Sequence, residues 1–220
     1  LEGDIGYDFH DRFKFLDRAR IALEGGARLK RGAFCKLDLS ARADIQQSDL
    51  EELGEVVGNT ERRLTYLAQG DCARPAGLFP VVAVQRRTAD NSRESRERDD
   101  FDATRLTGGI GWSIPSVGRL EALASRERFD FPNRPVPVAG GVADDRTDVT
   151  SVGLRLNRAV APRVSFDATV GYAWAEPRSP LAPKFEGLNW STTVEWKPQP
   201  RTRVAFATVR TVDASNALSV

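Results

Sequence analysis

The single histidine is the first place to look for chemistry. His10 stands between Asp8 and Asp11 in YDFHDR, neighbours that suit a metal ligand or an acid–base pair. One histidine leaves no Ser–His arrangement to build, and a charged link between strands accounts for the three residues equally well. Cys35 and Cys72 fit no zinc spacing, so they bear on oxidation and not on metal. LTGGIG at Leu106–Gly111 has the look of a phosphate loop. It lacks the following helix and lysine, and a glycine within a strand more often marks a bend or a close approach. The acidic stretch DLEELGEVV (Asp49–Val57) offers one helical turn or a cation site, with a solvated lid as the simpler reading. The expectation is therefore no catalytic residue, no metal and no cofactor.

Charge placed at every second residue offers a different chemistry. Arg18, Arg20, Glu24, Arg28 and Lys30 alternate with Ala19, Ile21, Leu23, Ala27 and Leu29. Lys36, Asp38, Ser40, Arg42 and Asp44 alternate with Cys35, Leu37, Leu39, Ala41, Ala43 and Ile45. Arg63, Asp71, Arg105, Arg155, Arg163, Asp167, Glu195 and Arg203 occupy the same polar phase further on. Two roles suit such rows. The cations form a basic ladder that selects anionic solutes, or they pair across strands with Glu24, Asp38, Asp44, Asp71, Asp167 and Glu195 and keep a wet surface solvated.

A period of two demands strands to hold it. Arg163–Trp174 reads RVSFDATVGYAW, twelve residues with every second one apolar, roughly 40 Å of extended chain. That is longer than the usual strand of about five or six residues and suits a tilted membrane-spanning strand. About eleven such segments recur: Leu1–Phe9, Arg18–Lys30, Ala33–Ile45, Arg62–Ala73, Leu78–Arg87, Asp102–Ile114, Arg119–Arg128, Thr150–Arg158, Arg163–Trp174, Leu188–Lys197 and Arg201–Thr211. Short links rich in turn formers (Arg31-Gly32, Arg74–Gly77, Pro115–Gly118, Ala159–Pro162, Pro198–Pro200) alternate with long ones (His10–Asp17, Gln46–Glu61, Thr88–Phe101, Phe129–Val149, Ala175–Gly187). The run Ala89–Asp100, ADNSRESRERDD, is expected to be solvated. This is the rhythm of an up-and-down meander with tight turns at one end and longer loops at the other.

Composition sets limits on partners. Lys+Arg total 32 against 31 Asp+Glu, for a net charge of +1, and 29% of residues are charged. No surplus of positive charge or basic tail exists to grip nucleic acid. Mean hydropathy is −0.40, and no apolar run is long enough for a membrane helix. Neither observation weighs against a barrel, whose alternating strands average out to polar.

A soluble barrel would carry the same stripe, with its apolar face inward. Three features favour the membrane version, and a soluble β-solenoid or sandwich array is the other option. The polar faces carry charges of both signs. The aromatics Tyr66, Trp112, Tyr172, Trp174, Trp190 and Trp196 lie on the apolar face near strand ends, as interfacial girdles do. Eleven strands would also make a soluble barrel too wide for side chains to fill. The fold expected is an all-β, antiparallel up-and-down transmembrane barrel. An odd strand number does not close as the even-numbered bacterial barrels do, so residues 1–220 read as one barrel domain truncated at both ends.

In LTGGIGWSIPSVGRLEALASRERFDFPN (Leu106–Asn133) and GLNWSTTVEWKPQPRTRVAFATVRT (Gly187–Thr211), a strand ends in Trp, passes a Pro-containing turn and returns rich in Arg and Thr. Most of the chain resembles the outer-membrane β-barrel (porin-like) family that includes the EpsL-type proteins of exopolysaccharide operons. The resemblance implies the bacterial outer membrane, contact with its lipid, and passage of polysaccharide or association with polysaccharide-secretion components. A structural or adhesion barrel with a plugged lumen and functional outer loops is the alternative. It brings no catalytic motif. The outer membrane and periplasm are oxidising, so a Cys35–Cys72 disulfide is open to the chain. Directly opposed strands strain such a bridge, however, and a lipid-facing thiol is an ordinary small apolar group, so free cysteines are expected.

Overall fold

The computed structural model describes residues 2–8, 18–52, 55–138, 140–179, 182–199 and 201–210; for residues 8, 18, 47–52 and 55–58 it gives the backbone alone. The expectations placed on Leu1, Phe9, His10, Asp11 and Thr211, on the link to Asp17 and on the Arg18 side chain fall outside that description. Eleven strands follow one another: β1 (Glu2–Asp8), β2 (Arg18–Arg31), β3 (Cys35–Glu52), β4 (Glu55–Asp71), β5 (Gly77–Asn91), β6 (Phe101–Ile114), β7 (Gly118–Val138), β8 (Gly141–Ala161), β9 (Val164–Pro177), β10 (Phe185–Gln199) and β11 (Thr202–Arg210). They form one sheet in sequence order, and every neighbouring pair is antiparallel. A 3-10 helix, Glu94–Asp99, is the helical element among the described residues. β1 and β11 run in the same direction and form the two open edges of the sheet.

The expected strands are present, but several are longer than their alternation. Gln46–Glu61 and Phe129–Val149 were expected as loops; instead β3 and β4 pair out to Glu52↔Glu55, and β7 and β8 out to Val138↔Gly141. On β7 and β8 the outward positions there, Arg128, Asp130, Arg146 and Asp148, are charged, so the apolar–polar alternation is lost while the backbone ladder continues. Pro132, Pro135 and Pro137 also argue against strand. They are tolerated because β6 stops pairing β7 at Asp102↔Asp130, which leaves that part of β7 an edge, with a register shift between Phe131 and Pro135. Thr88–Phe101 is shortened to the 3-10 segment, and Ala175–Gly187 loses residues to β9 and β10.

One face of the sheet is apolar and open to its surroundings. Leu23, Leu39, Leu64, Val84, Leu106, Ile110, Val152, Leu154, Val170 and Leu188 all lie on it, and Ile110 is 61% exposed. The other face is closed upon itself. Arg119 on β7 reaches Asp71 on β4 at 3.1 Å, although three strand steps in a flat sheet span roughly 14 Å. The sheet therefore curls toward its charged face, which is the inner one.

The apolar band crosses the strands obliquely. Leu37, Gly70, Val82, Gly108, Ala124, Val152, Tyr172 and Leu188 form one continuous pairing row from β3 to β10. On β3 the band runs upward from that row, Leu37 to Ile45, whereas on β10 it runs downward, Leu188 to Trp196. The band centre drifts by about eight residues over about seven strand steps; at about 3.4 Å per residue and 4.8 Å per strand, this tilts the strands about 39° from the band normal. Nine tilted residues then rise about 24 Å. Both values match the geometry of outer-membrane barrels.

Two glycines fix local geometry. Gly118 opens β7 after the tight turn with φ +115°, a conformation other residues rarely adopt. Gly111 lies under the Phe79 ring, where a Cβ would come within 2.0 Å of it. Phe79 is thereby seated flat on the inner face, with the Arg119 guanidinium 4.5 Å above its ring centre.

The well-buried apolar cluster also lies on the inner face, which alternation did not suggest. Ala103, Phe129, Phe131, Val149, Ala173 and Ala175 pack together with Phe101 at its margin. These residues fall in the upper, loop-side parts of β6–β9, where Arg87 opposes Ala103 and the buried Asp145 opposes Phe131.

Candidate functional site

The inner face carries its charges in paired rows, each set by strand register. Glu24 opposes Arg42, and Arg28 opposes Asp38. The Arg42 guanidinium lies 3.6 Å from Glu24 and donates to Asp44 on its own strand at 2.8 Å; Arg28 donates to Asp38. Lys36 opposes Asp71 at 3.4 Å, Arg63 bonds Glu61 at 2.6 Å, and Arg20 stands 3.7 Å from Asp4. On the later strands Arg155 donates to Asp167 at 2.8 Å, joined by the Asn157 amide at 3.1 Å. Glu195 receives Lys197 at 2.8 Å and Arg203 at 2.5 Å.

The densest part of the wall includes residues that reading the sequence did not single out. The Glu127 carboxylate, almost fully buried, accepts from Arg87 at 2.6 Å and from Arg105 Nε at 3.0 Å. Arg119 bridges Asp71 and Glu121, the latter at 2.5 Å. Glu121 and Glu127 alternate with Leu120, Ala122 and Ala124, so the period of two did contain the signal. Arg87 was hidden by the unbroken run Val81–Val84 that precedes it.

Arg163 departs from its expected place. It lies in the turn before β9 and not on a lumen-facing strand: its side chain donates to the Pro198 carbonyl at 2.7 Å, and its own carbonyl accepts from Lys197 N at 2.8 Å. Ala161–Val164 is where the β8–β9 register shifts, which ends the alternation one residue later than Arg163.

The aromatic residues occupy the outer face. Trp112 and Trp196 stand at the short-turn ends of β6 and β10, next to Leu78 and Val204 in register. Trp174 faces Glu186 across β9–β10 at the upper limit of the band. Tyr66 faces Arg86 across β4–β5 but opposes Ala41 on β3, below Leu64, and so lies within the band and not at its edge. Tyr172 packs beside Trp174, ring centres 5.0 Å apart. Trp190 also lies within the band. It opposes Val170, with the Arg210 guanidinium 5.2 Å from its ring centre.

Cys35 and Cys72 are bonded as a disulfide, Cα atoms 3.8 Å apart, and not free as expected. The β3–β4 register, which continues from Lys36↔Asp71, places them directly opposite at the short-turn end. Pairing the strands about Gln46–Glu61 already puts the two cysteines nearly opposite; the expectation of free thiols rested on the strain of a bridge between directly opposed positions, and the bond forms there nonetheless.

Above the band, the segment between β5 and β6 folds across to β7. Arg134 lies 4.1 Å over the Phe131 ring; its Nε donates to the Arg98 carbonyl at 3.0 Å and its Nη2 to Asp99 at 3.2 Å. Asp100 accepts from Asn91 N at 2.7 Å, Asn91 Nδ2 at 2.9 Å and Asn133 Nδ2 at 3.2 Å. The run expected to be solvated is thus anchored at its second half on the inner side of β7.

A single antiparallel sheet with an exposed apolar outer band, tilted strands and an ion-paired inner wall defines the β-barrel class of membrane proteins. Residues 133–220 match the family described as "Putative beta-barrel porin 2", which supports a β-barrel porin family and with it a membrane location. No curated protein and no solved structure matches the chain.

Proposed function

We propose that this chain forms a large part of the wall of an outer-membrane pore through which polar solutes, polysaccharide among them, move along the charged inner face. One observation carries the reading: the apolar band is on the outside and tilted, while the ion pairs line the side toward which the sheet curls. A lipid contact and a wet interior follow from the same alternation. Cations and carboxylates in neighbouring positions let a hydrated solute exchange water contacts for wall contacts without meeting one dominant sign of charge. Passage is by diffusion, with no bond made or broken. Closing the wall requires partners for the β1 and β11 edges, supplied by further strands.

The plugged-barrel alternative has one observation in its favour: the Phe101–Phe129–Phe131 cluster and the Arg134-anchored segment crowd the inner side above the band. Planar-bilayer recording separates the two. The pore reading expects stepwise single-channel conductance from the purified protein. Heat-modifiable, fully inserted protein that passes no current would overturn it in favour of the structural barrel.

A further inference from the structure

The charged rows of the inner wall are interrupted by a neutral one. A recess of about 320 Å³ opens there across β6–β10, of a size to hold a small organic ligand. Thr107, Ser125, Ser151, Thr169, Asn189 and Ser191 supply its polar groups, from inner positions on five consecutive strands. The Ser125 and Ser151 hydroxyls are 2.7 Å apart, opposed in register.

The recess is kept open by its floor. Gly153 and Gly171 are directly opposed. A Cβ at Gly153 would meet the Val170 carbonyl at 2.7 Å, and one at Gly171 would meet the Val152 carbonyl at 2.6 Å and the Asn189 Oδ1 at 2.7 Å. Bare backbone and the Leu123 side chain form a flat, partly apolar base. Two of the nearby cations are engaged by carboxylates, Arg105 with Glu127 above and Arg155 with Asp167 below, and the third, Arg210, lies over the Trp190 ring at the rim. An anion reaching for Arg105 or Arg155 would have to displace a carboxylate. Hydroxyls and an amide both donate and accept, and so match a solute whose own hydroxyls do both and whose ring has an apolar side.

We infer that this recess is a binding subsite for an uncharged glycosyl unit, a station at which a passing oligosaccharide is held. The inference rests on the pore reading above. Single channels of the full chain in planar bilayers test it, with maltohexaose, an oligogalacturonate of equal length and a polyethylene glycol of similar mass as probes. Maltohexaose should block the current with dwell times at least tenfold longer than the glycol and longer than the anionic sugar. Thr169→Val, which keeps side-chain volume, should shorten the maltohexaose dwell several-fold, and Thr169→Val with Asn189→Leu should shorten it by tenfold or more. Open-channel conductance and the glycol blocks should not change. Maltohexaose dwells equal to those of the glycol, dwells insensitive to Thr169→Val, or preference for the oligogalacturonate would overturn the subsite while leaving the pore intact. Absence of any channel would overturn the pore reading itself.

Discussion

Glu127 illustrates how the wall tolerates buried charge. A carboxylate only 4% exposed is costly unless fully paired, and Arg87 and Arg105 approach it from two neighbouring strands. Replacing it by Gln keeps the shape but leaves two guanidinium groups competing for one neutral oxygen. Glu127→Gln should therefore destabilise the folded barrel by about 2 kcal/mol, the scale of a hydrogen bond to a charged group. The shift of the heat-modifiability midpoint measures it, and an unchanged midpoint would show that water already screens the pair. At the same scale, iodoacetamide without reductant should label neither Cys35 nor Cys72, and both should react once the unfolded protein is reduced. Labelling of either in the unfolded, non-reduced protein would contradict the disulfide. The alternation at Arg18–Lys30 and Ala33–Ile45 made the charged rows legible. Specific partners were not, because which acid meets which base depends on register, and register is set by turns whose ends the period of two blurs.

At the scale of elements, the eleven strands and their short turns were readable because each crosses a region with two different environments. The strand extensions were not readable, since outward positions such as Arg128, Asp130, Arg146 and Asp148 become charged above the band. Arg146 donating to Asp130 at 2.6 Å shows that ion pairs replace the apolar residues there. The segment between β5 and β6 was hidden for another reason: its composition is that of a solvated loop, and the residues that hold it to β7, Asn133 and Arg134, are distant in sequence. Arg134→Ala should release it. Limited trypsinolysis of the inserted protein should then cut after Arg96 or Arg98 several-fold faster than in the parent, with the band strands still protected. Equal cutting rates would mean that Asp100 alone suffices as the anchor.

The outer face supplies the complementary test. Leu39 lies in the middle of the band on β3, and Leu39→Arg puts a charge where the surroundings are apolar. The expected cost is about 2–4 kcal/mol, seen as a reduced fraction of inserted, heat-modifiable protein. Insertion equal to that of the parent would mean that Leu39 does not face lipid.

For the whole molecule, the open question in the amino-acid pattern was which face is inside. The period of two is symmetrical in that respect. The curl and the oblique drift of the band from Leu37–Ile45 to Leu188–Trp196 decide it, and both depend on strand order and register that the sequence shows only after pairing. The inner Phe cluster could not be foreseen from alternation, because Phe129 and Phe131 share the phase of Glu127 and Ser125.

The most direct measurement is a nitroxide scan along β9 of the membrane-inserted protein, with Cys35 and Cys72 replaced by Ser and one label at a time from position 164 to 170. Oxygen partitions into lipid, whereas a polar nickel chelate stays in water. The account predicts oxygen-dominated collisions at positions 164, 166, 168 and 170, chelate-dominated collisions at 165, 167 and 169, and a switch between them at every step. The reverse phase would place charge against lipid and the apolar band inside. That result would contradict the inward-facing polar wall and the transport reading built on it.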